Sequence, residues 1–190
     1  PMIVFGQGVI LGGAEELFKQ VVEKSGVPAA WTILGLSAMP TDHPLNVGMV
    51  GMHGNYGPNV LTNECDVLIA IGMRFDDRVT GKLSDFAREA KVIHVEIDPS
   101  EIDKNVPTTL ALKADVAQVL TLLERDPAIV FRPRRRWFAR IEAFRREIAD
   151  QIQQEVAAGI GREGQLLAKT VVSRLSDLTA GKDLVVGDVG

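Results

Sequence analysis

The chain has 190 residues, 46% hydrophobic and 24% charged, with a net charge of -4. That is the composition of a globular protein, long enough for one full domain plus further elements. The acidic balance gives no electrostatic ground for nucleic acid or an anionic membrane as partner. No apolar run approaches the roughly 20 residues of a membrane span. The single cysteine, Cys65, excludes a disulfide within the chain and points to a reducing, cytoplasmic setting.

Pro1 to Phe5 read as a buried strand with no basic leader before it, which suggests a piece of a larger protein. Ile3-Val4-Phe5 ends at Gly6, and Ala14 to Lys24 follows as an amphipathic helix with Leu17, Val21 and Val22 on one face. Further strands are expected over Pro28–Leu34, Val67–Ile71, Val92–Ile97 and Thr109–Leu112, and a helix over Asp115–Leu123. Apolar runs alternating with amphipathic helices predict an α/β fold: a parallel, Rossmann-like sheet of about six strands with helices on both faces. Ligands of such sheets bind beyond the carboxyl ends of the strands.

Residues 126–162 differ. Seven of the 21 Lys and Arg lie between Arg132 and Arg146. Trp137, Ile141, Phe144, Ile148 and Ile152 recur at helical spacing, so a solvated basic face beside an apolar stripe explains this segment better than nucleic-acid binding. The stripe should face a neighbour or fold back on the first domain. Leu166–Leu178 reads as a helix and Asp183–Val186 as a strand, the opening of a further α/β domain. The expected organisation is therefore 1–125, 126–162 and 163–190.

Three loops concentrate glycine and charge. The first, Gly6-Gln7-Gly8-Val9-Ile10-Leu11-Gly12-Gly13, is either a tight turn or a place where backbone approaches a phosphate or sugar. Leu11 stands where a dinucleotide fingerprint has its third glycine, and no acidic residue ends the second strand near Thr32-Ile33-Leu34, which disfavours a conventional NAD site. The second, Gly48 to Asn55, sets three glycines and two methionines beside His53, suiting a flat ligand. His53 has no neighbours at metal spacing, so a zinc site is rejected. The third, Gly72-Met73-Arg74-Phe75-Asp76-Asp77-Arg78-Val79-Thr80-Gly81, is either a surface ion-pair loop or a diphosphate or flavin clamp.

Gly51-Met52-His53-Gly54, the stretch from Arg74 to Gly81 and His94-Val95-Glu96-Ile97-Asp98 occur in the order and spacing of the acetolactate synthase (acetohydroxyacid synthase) large-subunit family, which the whole chain resembles. Residues 1–125 resemble its central domain, 126–162 its linker and 163–190 the opening of its third domain. The resemblance implies that the central domain binds FAD in an extended form, with a structural rather than a consumed flavin. It places FAD contacts at Gly6, Gly8, Thr32, Ile33, Leu34, Gly51, Met52, His53, Gly72, Arg74, Asp76, Arg78 and Val79. Glu96, Ile97, Asp115 and Val116 fall near the ribose and adenine. Met52, His53, Asp77 and Arg78 border the channel to the active site. Ala114 departs from the family, which has glycine there.

The implied parent is a thiamine-diphosphate- and Mg2+-dependent carboligase. It joins pyruvate to pyruvate or 2-ketobutyrate on the way to branched-chain amino acids, as a homodimer or tetramer with a small regulatory subunit. The family's activating glutamate and its metal site belong to other domains. Gly187-Asp188-Val189-Gly190 is not a complete metal site, so no catalytic residue is assigned and the chain alone is expected to be inactive. The alternatives are the central domain of another thiamine enzyme such as pyruvate oxidase, or a module that senses an adenine nucleotide.

Overall fold

The computed structural model describes residues 1–158, 165–180, 182–184 and 186. They form two compact units, Pro1–Glu142 and Ala143–Gly190.

The first unit is built on six parallel strands: β1 (Met2–Phe5), β2 (Ala29–Trp31), β3 (Asn46–Met49), β4 (Val67–Ile71), β5 (Lys91–Glu96) and β6 (Leu110–Lys113). Their spatial order is β3-β2-β1-β4-β5-β6. The chain winds outward one way from β1 and then returns to start again beside it at β4. The carboxyl ends of β1 and β4 therefore flank the point where the winding reverses.

The helices are α1 (Gln7–Leu11), α2 (Glu15–Ser25), α3 (Tyr56–Glu64), α4 (Asp77–Thr80) and α5 (Val116–Arg125). Side chains of a strand alternate between faces. Ile3, Phe5, Ala29, Ile71 and Val95 join Val9, Phe18, Val22 and Leu120 of α1, α2 and α5 in one core. The opposite face buries Met2, Leu68 and Leu61 of α3, where the Thr62 hydroxyl lies 3.7 Å from Met2 Sδ. Gly26 stops α2 in the left-handed conformation, φ 63°, as its position past Lys24 suggests. Asp115 caps α5 by accepting from the amides of Ala117 (2.8 Å) and Gln118 (3.3 Å).

Several elements differ from the sequence expectation. The second strand stops at Trp31, and Ile33–Gly35 coil into a 3-10 turn. Gly35 packs there so closely that a Cβ would lie 2.7 Å from the Phe5 carbonyl. Asn46–Met49 is a strand, although it opens the segment read as the second loop. Gln7–Leu11 of the first loop is a short helix. Asp183, Leu184 and Val186 carry no strand, and Val185 lies outside the described residues, as does Gly187–Gly190.

A long helix, α6 (Arg135–Ala158), runs from the first unit into the second, which also holds α7 (Ala168–Thr179). Of its apolar stripe, Ile141 is buried, Trp137, Phe144 and Ile148 are half-buried and Ile152 is exposed. In the first unit Phe138 packs on the core, and the Arg140 guanidinium forks onto both carboxylate oxygens of Glu64. Arg134 donates to the carbonyls of Ser25 and Gly26, both at 3.0 Å. This part of the basic run is thus engaged in holding the helix start to the domain.

Candidate functional site

The loops leaving β1, β4 and β5 are joined backbone to backbone. Gly6 N–H donates to Ile71 O (3.0 Å), Gly8 N–H to Gly72 O (2.8 Å) and Gly72 N–H to Val95 O (2.9 Å). Side chains could not fit in this seam. A Cβ on Gly6 would lie 2.5 Å from the Gly72 carbonyl oxygen, and one on Gly8 2.6 Å from Gly72 Cα. Gly72 itself adopts φ 57°.

The second loop is fastened to the third in the same way. Met52 N–H donates to Arg78 O at 2.7 Å. Gly51 has φ 105°, and a Cβ there would meet the same oxygen at 2.7 Å. Asn59 clamps Gly51 from below, donating to its carbonyl (2.9 Å) and accepting from its amide (2.8 Å).

Above these seams opens a cleft of about 770 Å³. Part of its lining is apolar: Leu11, Ile33 and Leu34 stand largely exposed, as do Met52 and Ile97 on other loops. The lining also carries Arg74 and Arg78. Asp76 organises this part, since its carboxylate accepts from the amides of Arg78 (3.0 Å) and Val79 (3.2 Å) and starts α4. The Asp76 carboxylate also lies 3.2 Å from Arg74 Nε. Arg78 is 70% exposed and meets Asp77 only at 3.8 Å. Such a surface pair holds it weakly, leaving its planar donors available.

Glu96, Asp98 and Glu101 line the acidic end. Glu96 accepts from the amides of Ile97 (2.9 Å) and Asp98 (3.1 Å), which orients its carboxylate. Hydrogen bonds from the Ser100 hydroxyl and amide hold the Asp98 carboxyl below the usual range.

Of the residues singled out from sequence, Gly8, Thr32, Ile33, Leu34, Met52, His53, Gly72, Arg74, Asp76, Arg78, Val79, Glu96 and Ile97 line this one cleft. Gly6 and Gly51 sit in the seams beneath it. Asp115 caps α5, Val116 Cγ2 lies 3.1 Å from where a Gly72 Cβ would stand, and Asp77 points into solvent. Gln7, Leu11, Met49, Val50, Met73, Asp98 and Glu101 also line the cleft. Gln7, Leu11, Met49, Val50 and Met73 belong to the three glycine-rich loops and Asp98 to the His94–Asp98 stretch, whereas Glu101 carried no sequence signal. Among the described residues, no group of three or more His, Cys, Asp or Glu could hold a metal ion. No helix among them is long and apolar enough to cross a membrane.

The donor set suits a dinucleotide. Bare glycine backbone at the reversal point admits a diphosphate, two guanidiniums can meet its charge, carboxylates can accept from ribose hydroxyls, and apolar walls can flank flat rings. The sheet and its covering helices define an α/β domain of the Rossmann-like type.

Residues 1–123 match the family model described as thiamine pyrophosphate enzyme, central domain. The chain belongs to that family. It is 46% identical over 142 residues, 74% of its length, to a probable acetolactate synthase large subunit of Methanocaldococcus jannaschii, of which it spans 24%. Over its full length it is 37% identical to an acetolactate synthase of Mycobacterium avium, spanning 30% of that protein. It is also 44% identical, over 65% of its length, to an acetolactate synthase large subunit of Porphyra purpurea, spanning 21% of it.

Proposed function

We propose that the cleft holds FAD in an extended form and that the whole protein is an acetolactate synthase catalytic subunit. The observation that carries the flavin reading is the glycine-seamed cleft at the reversal point, lined by Arg74 and Arg78 together with Ile33, Leu34, Met52 and Ile97. Gly8 and Gly72 let the diphosphate approach the backbone. Arg74 and Arg78 offer it charge and paired donors, and Glu96 accepts from a ribose hydroxyl. Gly6 and Gly51 act one layer down by letting the loops close on one another, and Asp115 and Val116 support the adenine end through α5. Met52, His53, Asp77 and Arg78 border the route to the reacting centre.

The shared name of the curated relatives favours the synthase over a pyruvate oxidase or a nucleotide-sensing module. In this reading residues 1–125 are the central domain, 126–162 a linker and 163–190 the opening of the thiamine-binding domain. Thiamine diphosphate with Mg2+ supplies the electron sink that lets one pyruvate lose carbon dioxide and add to a second 2-keto acid. This domain's residues bind, orient and wall off. The subunit works in the cytoplasm as a homodimer or tetramer with a regulatory partner.

Titrating the 190-residue chain with FAD, ADP and NAD tests the reading. Saturable quenching of flavin fluorescence, with ADP competing weakly and NAD not at all, is expected. ADP binding without any flavin binding would replace the flavin site by an adenine-nucleotide sensor.

A further inference from the structure

His94 and Asn105 take no part in the cleft wall, yet both hold its backbone from beneath. His94 is fully buried in the middle of β5. Its strand partners are Ala70 on β4 and Ala111 on β6, so small neighbours on both sides leave room for an imidazole. A buried polar ring is costly unless hydrogen-bonded. His94 Nε2 lies 2.8 Å from the Met73 carbonyl, so it carries the hydrogen and donates. Nδ1 has no partner among the described residues.

The ring packs edge-on against Phe75, centroids 4.9 Å apart, and Phe75 packs the same way on Phe86. Asn105, from the loop between β5 and β6, donates through Nδ2 to the Phe75 carbonyl at 2.6 Å. The carbonyls on either side of Arg74 are therefore both held by side chains from outside the loop. Met73 and Phe75 are themselves buried. Only the Arg74 side chain is left to project, and it lines the cleft.

We infer that His94 and Asn105 are positioning residues for Arg74: the two bonds lock residues 73–75 and so present the guanidinium to an anionic ligand of the cleft. The assignment of that ligand rests on the flavin reading above; the lock itself does not.

Amide hydrogen exchange on the ligand-free chain reads the lock directly. In His94→Phe, which keeps a ring but removes the donor, the hydrogen-bonded amides of Gly72, Val79 and Thr80 should exchange about tenfold faster. Those of β4 should be unchanged. Asn105→Ala, at an exposed position, should do the same without a folding defect. His94→Gln, whose Nε2 can still donate to Met73 O, should restore slow exchange.

With FAD as probe, His94→Phe and Arg74→Ala should each weaken binding. Together they should weaken it less than the product of the two, because one acts through the other. Wild-type exchange in both His94→Phe and Asn105→Ala would overturn the inference. So would acceleration spread equally over β4, or strictly multiplicative losses of affinity. If the variants loosen the loop while the wild-type chain ignores FAD, the lock stands and the flavin reading fails.

Discussion

The amide of Gly8 donates to the carbonyl of Gly72 across 2.8 Å, and neither residue has space for a side chain. This contact joins the ends of β1 and β4 at the reversal of the winding and forms the floor of the cleft. Gly8→Ala should force the two loops apart and cost about 1–3 kcal/mol, as overpacking against backbone does. A thermal melt at the wild-type midpoint would show that the seam can widen freely.

Arg78 should matter for binding and hardly for stability. Its guanidinium is exposed, and its pair with Asp77 is long. Arg78→Ala should lower the melting free energy by under about 1 kcal/mol while weakening FAD binding. Arg78→Lys should stay impaired, because an ammonium keeps the charge but lacks the planar fork. Flavin titrations and melts on both variants check this, and wild-type affinity in both would remove Arg78 from the site.

The stripe on α6 should divide energetically. Ile141 is buried, so Ile141→Ala should cost about 2–5 kcal/mol. Ile152 is exposed, and Ile152→Ala should stay within about 0.5 kcal/mol. Denaturant melts of the two variants give the comparison. Light scattering on the wild-type chain would report any self-association through the exposed part of the stripe.

Cys65 should resist labelling in the folded protein. Burial pushes its thiol up to about 11 from an ordinary 9.0, and its Sγ–H donates to Thr62 O at 3.1 Å. The sign follows from which state ionises first. The unfolded thiol loses its proton near its ordinary value while the folded thiol keeps it. Stability is therefore unaffected below about pH 9 and falls as pH rises from there towards 11, by at most about 1.4 kcal/mol per pH unit. Rapid reaction with a thiol reagent at pH 8 without denaturant would contradict this.

The 190-residue chain should form no acetolactate from pyruvate when supplied with thiamine diphosphate, Mg2+ and FAD. It spans 24–30% of the length of the first relatives it matches, and the proposed chemistry relies on groups of other domains. Turnover above background in a product assay would overturn that expectation.

Much of this could be read from the sequence because it is local. Val67–Ile71 is a strand over the predicted residues, since five apolar residues before a glycine have few other uses. α2 and α5 follow from their 3.6-residue periodicity, and their ends shift by only one or two residues. The strand-end loops could be picked out by their glycines and arginines, and most of their residues do share one cleft.

What stayed hidden depends on contacts that neither periodicity nor turn chemistry encodes. β3 contains Asn46 and Gly48, poor strand formers. It holds because Asn46 Nδ2 donates to Pro40 O at 3.0 Å, its Oδ1 accepts from Gly48 N at 3.1 Å, and β2 pairs alongside. That Gly6 and Gly51 also serve as joints between loops could not be read, because it takes the approach of Gly72 and Arg78. His94 in a strand motif gave no hint that it would hold the Met73 carbonyl, because that meeting requires β4 and β5 in register and Ala70 beside the ring. Periodicity and turn chemistry act over a few residues and survive in the bare sequence. Strand order, register and the meeting of loops come from burying both faces of one sheet, and that involves every strand at once.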